Sequence, residues 1–261
     1  MPRRLPAFLA LSLALLPLAA PGARAATSIP LDGAVLTLAA LPPEADGTIR
    51  GAIRIELRPG WKTYWIDPGQ SGIPASYSFT QGAATLRYPA PHRFGEGIER
   101  ANGYSGPFAI AFELKGAGPG PVAVSAMLGL CRDICVPASG TVATAPDEGD
   151  RALVEAAFAA LPAPAPDGAI PGAALSADGK VLTLALSSAS AARPQDVFVS
   201  GPEGWYFGEA PAGTATRDGL AFAVPVLGRP RKGPPLGAVD IVLGGTGGGT
   251  ERRAVPVESA R

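Results

Sequence analysis

The sequence predicts an all-β protein made of two immunoglobulin-like β-sandwich domains, which are joined by a short helix and a proline-rich linker. Its 261 residues include 34 glycines and 29 prolines, residues that interrupt long helices. Hydrophobic residues make up 47% of the chain, which is enough for a core. Short segments of alternating apolar and polar residues recur between turn clusters, a pattern typical of antiparallel sandwiches. A long helical protein is therefore excluded.

Four regions are expected along the chain: a signal peptide at residues 1–25, a first β domain at 26–148, a helix and linker at 149–171, and a second β domain at 172–258. The first region has two early arginines, a short apolar run and an Ala-Arg-Ala end, the three parts of a cleavable secretory signal. Its apolar run is too short to cross a bilayer. The excess of arginine over lysine favours a bacterium, so we expect the periplasm, where disulfides persist.

The first β domain contains segments whose apolar side chains fall mostly on one face, as in half-buried strands. These predicted strands are residues 34–38, 48–57, 108–114 and 122–128. Between them lie clusters of Gly, Pro, Asn, Asp and Ser, which predict turns. The predicted turns are residues 67–69, 71–74, 102–103 and 116–120.

One helix is predicted over residues 152–161, with Asp150 as its N-cap and Pro162 at its end. Residues 162–171 include four prolines and predict a stiff linker. The second β domain has four predicted strands, at residues 180–186, 196–199, 220–224 and 239–243. It contains neither cysteine nor histidine, so any redox chemistry is expected in the first β domain.

Charge and composition exclude several classes of function. Lys and Arg (22) balance Asp and Glu (22), so the chain lacks the basic excess typical of a nucleic-acid partner. One histidine, His92, and two cysteines are a poor set of ligands for zinc, so no metal and no cofactor is expected. No Gly-x-Ser-x-Gly element of a hydrolase is present.

The candidate chemistry lies in Cys131 and Cys135, which are four positions apart. On a straight strand their Cα atoms would be about 13 Å apart, whereas a disulfide needs about 7 Å or less. Either the chain turns at residues 132–134, as the apolar flanks suggest, or the two cysteines are not bonded. So short a loop would stabilise the fold by only about 2 kcal/mol. A reversible dithiol pair is therefore favoured over a purely structural bond. Its spacing differs from the C-x-x-C of thioredoxins, which begins a helix.

Several segments resemble motifs from one family, the periplasmic N-terminal region of the thiol:disulfide interchange reductases DsbD and ScsB. GWKTYWIDPGQSGIP at residues 60–74 resembles their G-W-H-T-Y-W-x-N-P-G-D-S-G motif. YPAPHRF at 88–94 resembles W-P-A-P-x-R-F, and NGYSG at 102–106 resembles N-x-G-Y-x-G. CRDICVP at 131–137 resembles C-K-D-x-C-x-P. The helix and second β domain are similar to the longer, ScsB-type version.

This chain departs from the family motif in having Lys62 where the family often has His and Asp67 in place of Asn. The resemblance implies an immunoglobulin-like domain in which Cys131 and Cys135 are the redox pair. Such a pair takes electrons from a membrane-embedded donor and passes them to periplasmic disulfide proteins through mixed disulfides. The pathways it implies include cytochrome c biogenesis and copper tolerance.

In the family an aromatic cap shields the disulfide from stray thiols, and by its place in the motif Phe94 is the candidate cap. Trp61, Tyr64 and Trp65 are candidates to line the same site, with a role as core aromatics as the alternative. His92 is expected to be a loop residue rather than a proton shuttle.

Three functions stay open at this point. The first is the electron relay, for which this chain would need a separate partner because it ends at Arg261 without a transmembrane conduit or thioredoxin-like module. The second is a non-catalytic binding or scaffold protein with a structural disulfide, acting through loops such as residues 67–74. The third is a copper accessory that binds Cu(I) through both thiolates.

Overall fold

The computed structural model describes residues 26–188, 194–244 and 249–259, so the predicted signal peptide lies outside the described residues. Within those ranges the chain is mostly β-strand with a single α-helix, which confirms the predicted all-β class. Among the described residues, no helix has the length and hydrophobicity that are needed to span a bilayer.

The first β unit comprises strands β1–β11, which form two sheets. The strands are β1 Thr27–Leu31, β2 Ala34–Ala40, β3 Ile49–Leu57, β4 Lys62–Gly69, β5 Ser76–Phe79, β6 Ala83–Arg87, β7 His92–Phe94, β8 Ala101–Tyr104, β9 Phe108–Lys115, β10 Val122–Cys131 and β11 Cys135–Thr144. One sheet has the order β1-β2-β3-β9-β6, and the other has the order β11-β10-β4-β8-β7, with β5 paired to β10. Apolar side chains of both sheets, such as Leu36, Ile53, Phe112 and Leu128, form one buried core between them.

The predictions of turns at residues 67–69 and 102–103 were wrong, because the first lie at the end of β4 and the second lie inside β8. Gly103 pairs with Tyr64 on β4, and a Cβ atom at this position would lie 2.0 Å from the carbonyl oxygen of Thr63. The glycine is therefore needed because two strands approach closely, and not because the chain reverses there.

The helix α1, Arg151–Ala159, packs on the outer face of the first sheet. Its buried residues Val154 and Ala157 contact small apolar side chains of β2, β3 and β9. The predicted capping role of Asp150 was wrong. A 3-10 turn at Glu148–Asp150 precedes the helix and places Asp150 in the right-handed helical region, whereas an N-cap needs extended backbone. The Asp150 carboxylate instead accepts a hydrogen bond from the Ala40 N–H at 3.0 Å.

The second β unit comprises strands β12–β20. They are β12 Ala163–Pro164, β13 Gly172–Leu175, β14 Val181–Ser187, β15 Asp196–Ser200, β16 Tyr206–Phe207, β17 Thr214–Thr216, β18 Gly219–Gly228, β19 Ala238–Gly244 and β20 Thr250–Ser259. The main pairing order is β15-β19-β20-β13-β14-β18-β16. β20 pairs first with β19 and then, over its last three residues, with β13, so it carries the sheet around a second core. The proline-rich linker contributes β12, which pairs in parallel with β20.

The two units contact each other beside β4, β7 and β8. Trp65 and Tyr104 of the first unit form a buried cluster with Phe198 and Val242 of the second. This contact matters for function because the same three strands of the first unit surround the two cysteines.

Candidate functional site

The two cysteines face each other across the β10–β11 hairpin. Cys131 ends β10 and Cys135 begins β11, their Cα atoms are 4.1 Å apart, and their sulfurs form a disulfide. Residues 132–134 make the turn between them. Of the two arrangements that the spacing allowed, the turn with a bonded pair is therefore the one that forms.

The two cysteines differ sharply in their access to solvent. Cys131 is 7% exposed and packs against Tyr64 and Ala101, whereas Cys135 is an exposed residue at the hairpin tip. Ile134, between them, is 73% exposed. An incoming thiolate would therefore meet Cys135 first.

Tyr64 is the polar group closest to both sulfurs. Its Oη atom lies 2.8 Å from Sγ of Cys131 and 3.1 Å from Sγ of Cys135. β4 brings Tyr64 beneath the hairpin, and a Cβ at Gly72 (φ +136°) would come within 2.5 Å of its ring, so only glycine fits there. Burial raises the pKa of Tyr64, so its hydroxyl stays protonated at neutral pH and can donate a hydrogen bond to a thiolate.

Removing this hydroxyl is expected to weaken the reduced, charged state of the pair. In the reduced Tyr64→Phe variant, the pKa of the more acidic thiol should rise by about one unit, because a charge-assisted hydrogen bond is lost. The rate of alkylation by iodoacetamide as a function of pH measures this pKa. Tyr77→Phe, which removes a hydroxyl from the first core, is the control. Equal thiol pKa values in the two variants would contradict the assigned role of Tyr64.

Phe94 ends β7 and packs against the cluster formed by Tyr64, Ala101 and Cys131. The centroids of the Phe94 and Tyr64 rings are 5.9 Å apart. The ammonium of Lys62, the residue found where the family often has His, lies 5.0 Å from the centroid of the Phe94 ring. Phe94 therefore stands beside the disulfide, as its position in the motif suggested.

His92 begins strand β7, so its predicted place in a loop was wrong. Its Nε2 atom is 3.0 Å from the hydroxyl oxygen of Ser105. Partial burial, followed by the charge of Lys62, lowers the pKa of His92. The His92 imidazole is therefore uncharged at neutral pH.

The two tryptophans of the motif belong to other clusters than the one that contains Cys131. The ring of Trp61 packs against the first core, with the guanidinium carbon of Arg132 5.6 Å from its centroid. Trp65 points to the second β unit and meets Phe198 edge to face, with their centroids 6.0 Å apart. Successive side chains on a strand point to opposite faces, so Tyr64 contacts the cysteines while Trp65 contacts the second β unit.

Asp67 is a buried carboxyl that the sequence marked only as a departure from the family motif. It is 2% exposed, and its two oxygens accept hydrogen bonds from the N–H groups of Gly69 and of Phe207, the latter in the second β unit, both at 2.9 Å. Desolvation raises the pKa of Asp67 to about 7, although both hydrogen bonds act in the opposite direction. Asp67 thus ties the loop that supports Tyr64 to the second unit.

Comparison with known proteins agrees with this geometry. Residues 33–146 match the family described as thiol:disulfide interchange protein DsbD, N-terminal. The fold is similar to the crystal structure of the N-terminal periplasmic domain of ScsB from Proteus mirabilis, with 22% identity and a TM-score of 0.67 over 87% of this chain and 94% of that chain. The N-terminal domain of Neisseria meningitidis DsbD in the reduced form matches with 15% identity and a TM-score of 0.31, over 44% of this chain and 87% of that chain.

Comparison with curated proteins gave no match. The family match covers the strands that carry both cysteines, and the ScsB fold extends across both β units. The disulfide at the hairpin tip is consistent with thiol–disulfide exchange. Residues 33–146 are therefore a thiol–disulfide exchange domain of the DsbD N-terminal family, and the two β units together have a fold similar to that of the ScsB domain.

Proposed function

We propose that this protein relays electrons in the periplasm, from a membrane-embedded dithiol donor to periplasmic disulfide proteins. The single observation that carries the proposal is the asymmetry of the disulfide. Cys135 is exposed, Cys131 is buried, and the Tyr64 hydroxyl lies within hydrogen-bond reach of both sulfurs. A bond with one accessible sulfur and one sheltered sulfur suits exchange through a mixed disulfide.

The exchange is proposed to run in two balanced steps. A donor thiolate attacks Sγ of Cys135, which forms an intermolecular disulfide and releases Cys131 as a thiolate that accepts a hydrogen bond from Tyr64. The second donor thiolate then attacks the donor's own sulfur in that mixed disulfide and releases Cys135. The donor leaves as a disulfide and this protein holds the dithiol. With a client disulfide, the same steps run in reverse, so two electrons pass onward.

Phe94 is proposed to act as the cap of this site. It packs on the buried side of the pair, against Cys131 and Tyr64, where it narrows the approach to the sulfurs. Localisation in the periplasm is supported by the signal-like residues 1–25 and by the periplasmic origin stated for the similar ScsB domain.

A protein dithiol tests the relay directly. The oxidised full chain is mixed with excess reduced thioredoxin, and its thiols are then modified with a maleimide that adds mass on a gel. We expect complete conversion to the dithiol form within minutes, with no modification of the Cys131→Ser/Cys135→Ser double variant. A disulfide that stays oxidised in excess thioredoxin would instead identify a structural bond, and the double variant would then lose about 2 kcal/mol of stability.

A further inference from the structure

We infer that the second β unit is a clamp that holds the segments around the disulfide closed, and that it thereby limits the access of thiols to the buried sulfur of Cys131. Two segments are involved: the cap segment, residues 92–100, which carries Phe94, and the support loop, residues 67–74, which comprises the end of β4 and the loop after it and backs Tyr64. The inference rests on the proposed function in taking Phe94 as the cap. It assigns a role to the second β unit, which contains no redox residue of its own.

Arg93 is the first anchor of the cap segment. Its side chain is only 4% exposed, its Nε donates to Oδ1 of Asp196 at 3.0 Å, and its Nη2 donates to the carbonyl oxygen of Val197 at 2.7 Å. Its guanidinium carbon lies 4.5 Å from the centroid of the Phe198 ring. All three contacts are with β15 of the second unit.

Arg93 and Phe94 are neighbours on β7, so their side chains point to opposite faces of the strand. Phe94 packs toward the disulfide while Arg93 is inserted into the second unit. Moving Phe94 away from Cys131 would carry Arg93 with it. This motion would break the hydrogen bonds from Arg93 to Asp196 and Val197 and withdraw its guanidinium from the Phe198 ring.

The second anchor lies at the other end of the cap segment. Arg100 binds both carboxylate oxygens of Glu209, with its Nε 2.8 Å from Oε2 and its Nη2 3.0 Å from Oε1. Its Nη1 also donates to the carbonyl oxygen of Gly95 at 3.1 Å, which ties the segment to itself. The hydrogen bond from Arg100 lowers the pKa of Glu209, so the ion pair persists at neutral pH. Phe94 therefore sits between two ionic contacts with the second unit.

The support loop is held from the same side. Beyond the hydrogen bond between Asp67 and Phe207, residues Pro68 and Pro74 face Tyr206 and Leu227 across a cavity of about 330 Å³. Gly72 of this loop lies directly against the Tyr64 ring. The second unit thus restrains both the cap segment, which packs against Cys131, and the support loop behind Tyr64.

A third ion pair between the units provides a matched control. Arg87 on β6 pairs with Glu251 on β20, and β6 belongs to the first sheet, whereas the cap segment begins with β7 of the other sheet. Its loss should weaken contact between the units without freeing Phe94. A rate increase that Arg93→Ala produces and Arg87→Ala does not is therefore specific to the cap segment.

The test is the rate at which 5,5′-dithiobis(2-nitrobenzoate) modifies the Cys131 thiol in the full chain carrying Cys135→Ser, in which Cys131 is the remaining cysteine. When the cap opens and closes faster than the reagent reacts, this rate follows the population of the open form. We expect about a tenfold faster modification when Arg93→Ala is added, the change that loss of one charge-assisted hydrogen bond produces in an opening equilibrium. Glu209→Gln, which retains the side-chain shape, should show a smaller increase, and Arg87→Ala should match the Cys135→Ser parent.

Phe94→Ala distinguishes a clamp on the cap from general loosening of the fold. Phe94→Ala should also speed the modification of Cys131, and adding Arg93→Ala to it should bring no further increase, because the cap is already gone. The clamp would be overturned if Arg93→Ala and Glu209→Gln reacted no faster than Arg87→Ala. Additive effects of Phe94→Ala and Arg93→Ala in the double variant would also overturn it. If Arg93→Ala does not fold, Glu209→Gln alone decides by the same comparison.

The thioredoxin experiment separates this inference from the proposed function. If thioredoxin does not reduce the wild-type disulfide but Cys131 is still modified faster in the cap variants, the relay fails and the clamp stands. If thioredoxin reduces the wild type and the cap variants show no change in the modification of Cys131, the relay stands and the clamp fails.

Discussion

The Cys131→Ser variant is expected to accumulate a covalent mixed disulfide with an oxidised protein partner, whereas the Cys135→Ser variant is expected to form little or none. The free sulfur of the first variant is at the exposed position, and the sulfur that would resolve the mixed disulfide is missing. In the second variant the remaining sulfur is buried beneath Tyr64 and Phe94. Reaction of a thiol requires both the thiolate form and access, so the two variants should differ by about tenfold or more.

The partner is a thioredoxin variant that retains only its attacking cysteine, activated as a mixed disulfide with 2-nitro-5-thiobenzoate, so that neither protein keeps a sulfur that could resolve the adduct. The adducts are measured on non-reducing gels and identified by mass spectrometry. Cys131→Ala is the control for the serine hydroxyl, which could itself hydrogen-bond to Tyr64, and it should trap the partner equally well. Reaction with a small disulfide reagent, 5,5′-dithiobis(2-nitrobenzoate), gives the corresponding rates without a protein interface. Equal trapping by the two serine variants, or more by Cys135→Ser, would contradict the assignment of Cys135 as the attacked sulfur.

The free energy of unfolding is expected to fall by about 2 kcal/mol between pH 5 and pH 8 because of Asp67 alone. The pKa of Asp67 is raised in the folded protein to about 7, chiefly by desolvation, while the unfolded chain titrates near the ordinary value of about 3.9. The folded state therefore holds the proton more tightly. The stability contributed by the protonated carboxyl is complete below the unfolded pKa and is lost as the pH rises through the folded pKa.

Urea denaturation at pH 5, 6, 7 and 8 measures this dependence. The Asp67→Asn variant cannot titrate at this position, so its unfolding free energy should vary less with pH than that of the wild type. It should also be less stable at pH 5, because an amide offers one acceptor oxygen where Asp67 accepts from both Gly69 and Phe207. Asp32→Asn, at an exposed turn residue, should retain the wild-type slope. A slope unchanged in Asp67→Asn would show that the buried carboxyl does not govern the pH dependence.

Most of the fold could be predicted because, in strands such as β3 and β14, buried apolar residues alternate with more exposed ones along the sequence. β20 could not, because its charged residues and Pro256 obscure the alternation, and its strand character comes from pairing with β19 and β13. The 3-10 turn that removed Asp150 from its capping position is likewise fixed by a contact with Ala40, 110 positions away.

The sequence by itself determined the β class, the cysteine pair and the motifs that surround it, since these depend on local periodicity and on residue types at short spacing. The strand β4 was not predicted, so the sequence did not indicate that Tyr64 and Trp65 face opposite ways, nor which of them meets the sulfurs. Only the tertiary structure decided that Cys135 is the accessible sulfur, that Tyr64 contacts both, and that Arg93 and Asp67 bind the second unit. Those properties arise where segments more than 60 residues apart come together, for example Tyr64 with Cys131 and Arg93 with Asp196, and no local pattern records which distant surface a side chain will meet.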